Sequence, residues 1–211
     1  MTRVKICGIT NQVDAEKAAS LNVDFLGIIF TKESSRFTDV DRAKKIRQEV
    51  KSKRTRVVGV FKNQAADEVN RIADLVDLDL IQLHGAESKE YIYKIERPVI
   101  KVLEYRDSIT NIENAIDYRY CSHLLLDKPK EQNRQLNEKI DYSTLKELVS
   151  RLKPEFERVF LAGGITADSA EKIVQDIDPY GIDVCSGIEK ETGVKDHKLM
   201  DKLVRNINSK G

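Results

Sequence analysis

Thiols are scarce in this chain. Cys7, Cys121 and Cys185 are the only cysteines in 211 residues, and none has CxxC or CxxH spacing. An odd number without such spacing argues against a disulfide framework and a zinc site, and it suggests a reducing compartment. An excess of either charge is also missing. Lys plus Arg number 36 and Asp plus Glu 35, so no general polyanion partner, nucleic acid or acidic membrane surface, is expected. Local basic clusters such as residues 42–47 and 51–54 read as a helix end and its solvated face. No apolar stretch approaches the roughly 20 residues needed to cross a bilayer. No charged segment followed by an apolar run opens the chain either, so a cytoplasmic location is expected. No Asp/Glu/His cluster has metal spacing, and neither GxGxxG nor GxxxxGK[ST] occurs. Neither a Pro/Gly/Ser-rich linker nor a low-complexity tract interrupts the sequence. With 40% hydrophobic residues, a single domain over residues 1–211 is expected.

What the sequence does contain is an alternation of short β-branched runs and longer segments of helical period. Strands are predicted over 3–7, 25–30, 56–61, 80–84, 99–104, 123–127, 159–162 and 182–185. Most are apolar throughout, as buried parallel strands should be. Helices are predicted over 13–20, 39–51, 65–76, 88–95, 108–118, 143–152, 168–177 and 196–208. In the second, Val40, Ala43, Ile46 and Val50 form one stripe for a sheet, while Arg42, Lys44, Lys45 and Glu49 face water. Asp168 is a plausible N-cap for the seventh. Eight such units in one chain fit a closed (β/α)8 barrel of the α/β class better than an open doubly wound sheet. One connection is long and polar: residues 128–139, "KPKEQNRQLNEK", at a length where loops tend to be functional or mobile.

In such a barrel the carboxyl ends of the strands build the active site. Those ends carry Cys7, Asn63, His84, Asp127, Gly163, Gly164, Asp183, Ser186 and Gly187, with Arg36 in the loop after the second strand. Cys7 is either a small buried hydrophobe or a thiol at the barrel mouth, and as a base or nucleophile it would need nearby positive charge. Asp127 closes three leucines and is followed by Lys128-Pro129, so simple N-capping loses weight against a carboxyl acid in apolar surroundings. Gly163-Gly164 and Ser186-Gly187 lie where barrels hold phosphate, the second pair as a short helix start; paired glycines also occur in ordinary turns. Arg36 is a surface arginine or a planar clamp for a carboxylate. His84 is as well suited to a structural hydrogen bond as to a substrate contact.

Taken together, "KICGIT" (5–10), "VDFLGIIF" followed by "SSR" (34–36), "VGVFKN" (58–63), "IQLHG" (81–85), "LLLD" (124–127), "LAGGI" (161–165), "GIDVCSGIE" and "TGVKD" (to 196) resemble phosphoribosylanthranilate isomerases of tryptophan biosynthesis. The resemblance runs nearly the whole chain. It implies a cofactor-free Amadori rearrangement of N-(5-phosphoribosyl)anthranilate, a phosphorylated small molecule, to 1-(o-carboxyphenylamino)-1-deoxyribulose 5-phosphate, by a monomer or homodimer. It implies Asp127 as the general acid that opens the ribose ring to a Schiff base and Cys7 as the base that takes the C2 proton. Arg36 would face the anthranilate carboxylate, His84 and Asp183 would line the pocket, and Gly163, Gly164, Ser186 and Gly187 would hold phosphate. No metal is implied. The sequence departs from the family after the sixth strand, where "NRQLNEKIDY" (133–142) replaces a glycine-rich stretch. That change leaves open a paralogue acting on another phosphoribosyl-arylamine, or a catalytically weak phosphate-binding barrel. The histidine-pathway sister enzyme carries an aspartate at the position of Cys7. A synthase sibling would need a strand-end lysine as acid; Lys5 shares the face of Cys7 but is expected nearer the barrel bottom.

Overall fold

The computed structural model describes residues 1–52, 54–105, 113–128 and 142–208. Eight parallel strands, β1 (Arg3–Ile6), β2 (Phe25–Ile29), β3 (Arg56–Phe61), β4 (Leu80–Leu83), β5 (Val99–Glu104), β6 (His123–Asp127), β7 (Val159–Leu161) and β8 (Gly181–Val184), close into a barrel. The seam pairs β8 with β1, placing Lys5 beside Asp183 and Ile6 beside Val184. Around the barrel run α1 (Gln12–Ser20), α2 (Val40–Glu49), α3 (Ala66–Val76), α4 (Lys89–Ile92), α5 (Tyr142–Leu152), α6 (Ala170–Ile177) and α7 (His197–Asn208). A two-stranded antiparallel ribbon, β9 (Glu189–Glu191) and β10 (Val194–Lys195), stands after β8. Among the described residues no helix is long and apolar enough to cross a membrane.

The apolar residues divide into two clusters because side chains alternate across each strand. Phe25, Val58, Leu80, Ile100, Leu125 and Phe160 meet inside the barrel. Their neighbours, Leu26, Val57, Ile81, Leu124 and Ile182 among them, pack outward with Ala43, Ile46, Val69, Ile173 and Leu203 of the helices. Of the predicted stripe of α2, Ala43, Ile46 and Val50 are buried and Val40 is half-buried against the core. Helix starts follow local chemistry. The side chains of Asn11, Asp39 and Ser88 accept from the backbone N–H of Asp14, Arg42 and Tyr91, caps worth about 1 kcal/mol each.

Four local expectations are corrected. The helix predicted over 88–95 stops at Ile92, because the Asn70 side chain of α3 captures the backbone at Lys94 and Glu96 and Pro98 follows. The segment predicted over 108–118 is a 3₁₀ helix over Glu113–Tyr118, with 106–112 outside the described residues. Asp168 does not cap α6. Thr166 and Ser169 exchange hydroxyl-to-backbone bonds there, Ser169 is already helical, and Asp168 pairs with Lys202 of α7. Ser186-Gly187 starts no helix; the chain turns into the β9–β10 ribbon instead, Glu189 N–H bonding back to Ser186 O.

The lower barrel interior is aromatic. Phe25 and Phe160 meet edge to face at 5.2 Å, and His123 lies against Phe25, Phe160 and Tyr180. His123 is 2% exposed, its Nδ1 lies 2.9 Å from Ser122 Oγ, and its Nε2 has no partner among the described residues. Burial first, then Arg56 and Arg158, push its imidazole down to about 4. The folded state therefore refuses a proton that the unfolded chain accepts below about 6.5. Stability contributed by neutral His123 is present above that value and is lost as pH falls toward 4. His123→Phe is expected to lose about 2 kcal/mol less than the parent between pH 7 and 4.5, read by urea unfolding at both pH values; equal losses would remove His123 from the acid response.

Candidate active site

Toward the carboxyl ends of the strands the interior turns from apolar to charged. Lys5 and Cys7 share the inward face of β1 and its end, as their spacing of two requires. Lys5 has an exposed area of 0%, and its Nζ donates to Asp183 Oδ2 at 2.8 Å across the barrel seam. The same ammonium lies near the Cys7 sulfur, both standing over Gly27. Burial opposes its charge, but Asp183 and then Cys7 outweigh burial and hold Lys5 protonated. Burial likewise pushes the Asp183 carboxyl up, against the pull of Lys5. Cys7 is 6% exposed and its N–H donates to Val184 O at 2.9 Å. Burial pushes its thiol up to about 12, with Lys5 the largest opposing influence. The resting sulfur is thus a thiol. Gly27 on β2 makes room for this arrangement: a Cβ there would lie 2.8 Å from Cys7 Sγ and 3.2 Å from Lys5 Nζ.

Arg36 reaches over the same end of the barrel, with its fork already engaged. Its Nε and Nη2 donate to Glu189 Oε1 and Oε2 at 2.7 and 2.5 Å, a bidentate pair. Lys195, buried on β10, donates to Glu189 Oε1 at 2.9 Å and to Cys185 O at 3.0 Å. Against burial, Arg36 and Lys195 hold the Glu189 carboxyl below its ordinary range. Gly8 after Cys7 has a φ of +72°, and a Cβ there would meet Arg36 Cδ at 2.7 Å and Cys185 Sγ at 2.9 Å. Glycine at 8 is needed both for the left-handed turn and for the space Arg36 and Cys185 occupy.

On the opposite arc, Asp127 ends β6 and its Oδ2 lies 3.3 Å from His84 Nε2 at the end of β4. Gly163 backs the acid: a Cβ there would sit 3.0 Å from Asp127 Oδ1 and 2.7 Å from the backbone N of Lys128. Gly163 and Gly164 have φ of +90° and +73°, and nothing stands within 4 Å of where a Gly164 Cβ would be. Gly187 bridges to Thr166 of the neighbouring loop so closely that a Cβ would meet Ile165 O at 2.0 Å. The loops after β7 and β8 are joined backbone to backbone, with Gly164 and Ser186 on their exposed side. His84 also lines two open clefts of about 460 and 1030 Å³, the first shared with Lys62, Lys101 and Tyr118, the second with Phe30, Phe37 and Asn63.

Asp183 links the two arcs. Its carboxyl responds to Lys5 on one side and to Asp127 and His84 on the other. Its Oδ1 is buried and accepts no hydrogen bond from the described residues. An orphaned buried carboxylate oxygen at a barrel mouth is suited to a ligand donor. Asn63 is brought to this end but serves the loops: at φ +59° its side chain accepts from Ala86 N–H and its own N–H donates to Glu87. Sequence reasoning gave no role to Glu189 or Lys195 and did not pair Lys5 with Asp183. The parity of "RVKIC" put Lys5 on the face of Cys7, but its partner lies 178 residues away. Among the described residues no group of three His, Cys, Asp or Glu could hold a metal ion. Most of the long polar connection, residues 129–139, lies outside the described residues.

Residues 4–206 match the family model of N-(5′-phosphoribosyl)anthranilate (PRA) isomerase. The N-(5′-phosphoribosyl)anthranilate isomerase of Geotalea uraniireducens (strain Rf4) is 37% identical over 205 residues, covering 97% of this chain and 98% of the relative. Phosphoribosyl anthranilate isomerase from Thermotoga maritima superposes with a TM-score of 0.89 at 30% identity, over 99% of this chain and 100% of that one. A phosphoribosyl anthranilate isomerase solved in complex with reduced 1-(o-carboxyphenylamino)-1-deoxyribulose 5-phosphate superposes at 0.87 with the same identity and coverage.

Proposed function

Because the chain belongs to the N-(5′-phosphoribosyl)anthranilate isomerase family, we propose that its barrel mouth carries out the family's rearrangement through Cys7 and Asp127, with the other mouth residues gripping the substrate. The protein is an isomerase of tryptophan biosynthesis acting on N-(5′-phosphoribosyl)anthranilate. The observation that carries the division of labour is Asp183, which lies within electrostatic reach of Cys7 on one side and Asp127 on the other.

Asp127 gives a proton to the ribose ring oxygen, the C1–O bond opens, and the aryl nitrogen becomes a protonated Schiff base. His84, 3.3 Å from the acid, fixes the carboxyl toward the sugar. The cationic nitrogen acidifies C2–H and favours an anion nearby, so Cys7, a thiol at rest, ionises when its task arises. The sulfur takes the C2 proton, the electron pair of that bond forms C1=C2, and the nitrogen is neutralised. The enolamine then tautomerises to the ketone. Asp183 Oδ1 accepts from a sugar hydroxyl, which supplies the donor this buried oxygen lacks. Backbone N–H groups around Gly163, Gly164, Ser186 and Gly187 hold the phosphate, a remote anchor whose binding energy fixes the sugar between acid and base.

Glu189 pre-sets the Arg36 guanidinium, and Nη1, which donates to Ser35 Oγ at 3.4 Å, is the nitrogen that turns to the anthranilate carboxylate. Arg36→Ala is expected to raise KM about tenfold or more, as loss of a charged hydrogen bond of roughly 1.5–3 kcal/mol would, with a smaller change in kcat. A fall in kcat at unchanged KM would refute the clamp. The activity itself is tested by a coupled assay with freshly generated phosphoribosylanthranilate, and by complementation of a tryptophan auxotroph lacking this step. Folded protein that fails both would overturn the assignment of substrate.

A further inference from the structure

We propose that Lys5 is a positioning residue for this reaction: its ammonium is the countercharge of the ionised Cys7 sulfur, and Asp183 sets how strongly the sulfur feels it. The inference rests on the reading of Cys7 as the base. It starts from an economy the fold does not show. A buried lysine inside a barrel needs one carboxylate to offset its desolvation, and Asp183 Oδ2 at 2.8 Å supplies it. Yet the ammonium and the Cys7 sulfur flank one point, and position 27, where any side chain would press on both Sγ and Nζ, is glycine. An ion pair kept only for packing explains neither.

The other charges around the sulfur are already committed. From β8 and the residue that follows it, Asp183 and Cys185 oppose its ionisation. From β10, Lys195 favours it, but that ammonium is bound to Glu189 Oε1 and Cys185 O. From the loop after β2, Arg36 is forked onto Glu189. Lys5 is therefore the cation near the sulfur that is not held by Glu189, and it is shared with Asp183. Ionisation breaks the S–H bond and releases that proton to water at the mouth, leaving the sulfur with the electron pair that later takes the C2 proton. After that transfer the sulfur is a thiol again and the substrate nitrogen is neutral. While the sulfur is ionised, Lys5 is shared between it and Asp183 and the excess negative charge faces the cationic Schiff base; once the C2 proton has moved, Lys5 and Asp183 are again a balanced pair.

The test is the rate of Cys7 alkylation by iodoacetamide at pH 7.5, read residue by residue by mass spectrometry on protein shown to be folded by circular dichroism. Lys5→Met alone strands a buried carboxylate and is expected to destabilise the barrel, so the informative variants are Asp183→Asn and the double variant Lys5→Met/Asp183→Asn. Asp183→Asn leaves the ammonium to Cys7 alone and is expected to speed its alkylation roughly tenfold. The double variant, which buries no lone charge, is expected to return the rate to the parent's or below. An Asp183→Asn rate within twofold of the parent, or a double variant as fast as Asp183→Asn, would overturn the proposal. Failure of the base assignment looks different: Cys7→Ala would then keep its turnover, whatever the alkylation rates.

Discussion

Cys7→Ala is expected to lower turnover by roughly 10²- to 10⁴-fold, the range a positioned acid–base group supplies, while substrate binding through the phosphate loops and Arg36 persists. The loss belongs in kcat because the sulfur meets the substrate only where the C2 proton moves. Cys7→Ser sharpens the test. Its hydroxyl occupies nearly the same space but ionises far less readily than a thiol, so serine is expected to fall with alanine. A serine variant keeping more than about a tenth of the activity would show that the site needs volume or a hydrogen bond rather than an ionised sulfur. The pH response has a definite sign. Burial holds the free-enzyme thiol up to about 12, so its ionised fraction grows about tenfold per pH unit below that value. kcat/KM is accordingly expected to rise from pH 6.5 to 9; a flat profile would place the limiting ionisation on another group.

Asp127→Asn is the second large loss, again expected at roughly 10²- to 10⁴-fold in kcat. The amide preserves shape and can still meet His84, yet it has no proton to give the ring oxygen. Ring opening precedes every later step, so the variant should stall with the phosphoribosyl ring closed. Steady-state kinetics with thermal unfolding on the same protein separate the outcomes. An unchanged melting temperature with collapsed kcat fits the acid; a raised KM with intact kcat would make Asp127 a substrate-holding carboxylate. Gly163→Ala is not a clean substitute for this experiment, since its Cβ would press on Asp127 Oδ1 and Lys128 N at once.

Most of the barrel was legible because its signals are local. A strand such as "HLLLD" announces its burial by composition, and the stripe Val40, Ala43, Ile46, Val50 announces which side of α2 meets the sheet. The misread places are those where a distant side chain intervened. Asn70 ends α4 by seizing backbone groups of another segment, and Lys202 draws Asp168 away from the cap position, which the Thr166–Ser169 pair closes. The ribbon after β8 was read as a helix start because Ser-Gly serves either turn, and Lys195 and Glu189 can only pair once the chain folds back on itself. The same limit applied to the site. Cys7, Asp127 and His84 were singled out by position at strand ends and Arg36 by its place in the loop after the second strand, whereas the fork of Arg36 was met by a carboxylate 153 residues further on.

The sequence alone determined the alternation of eight strands and their helices, and the placing of a thiol and a carboxyl at strand ends, because periods of 2 and 3.6 residues are properties of the chain itself. Closure decided the rest. Only when β8 lies against β1 does Asp183 stand beside Lys5, and the charge a buried group carries depends on which neighbours replace the water it has lost.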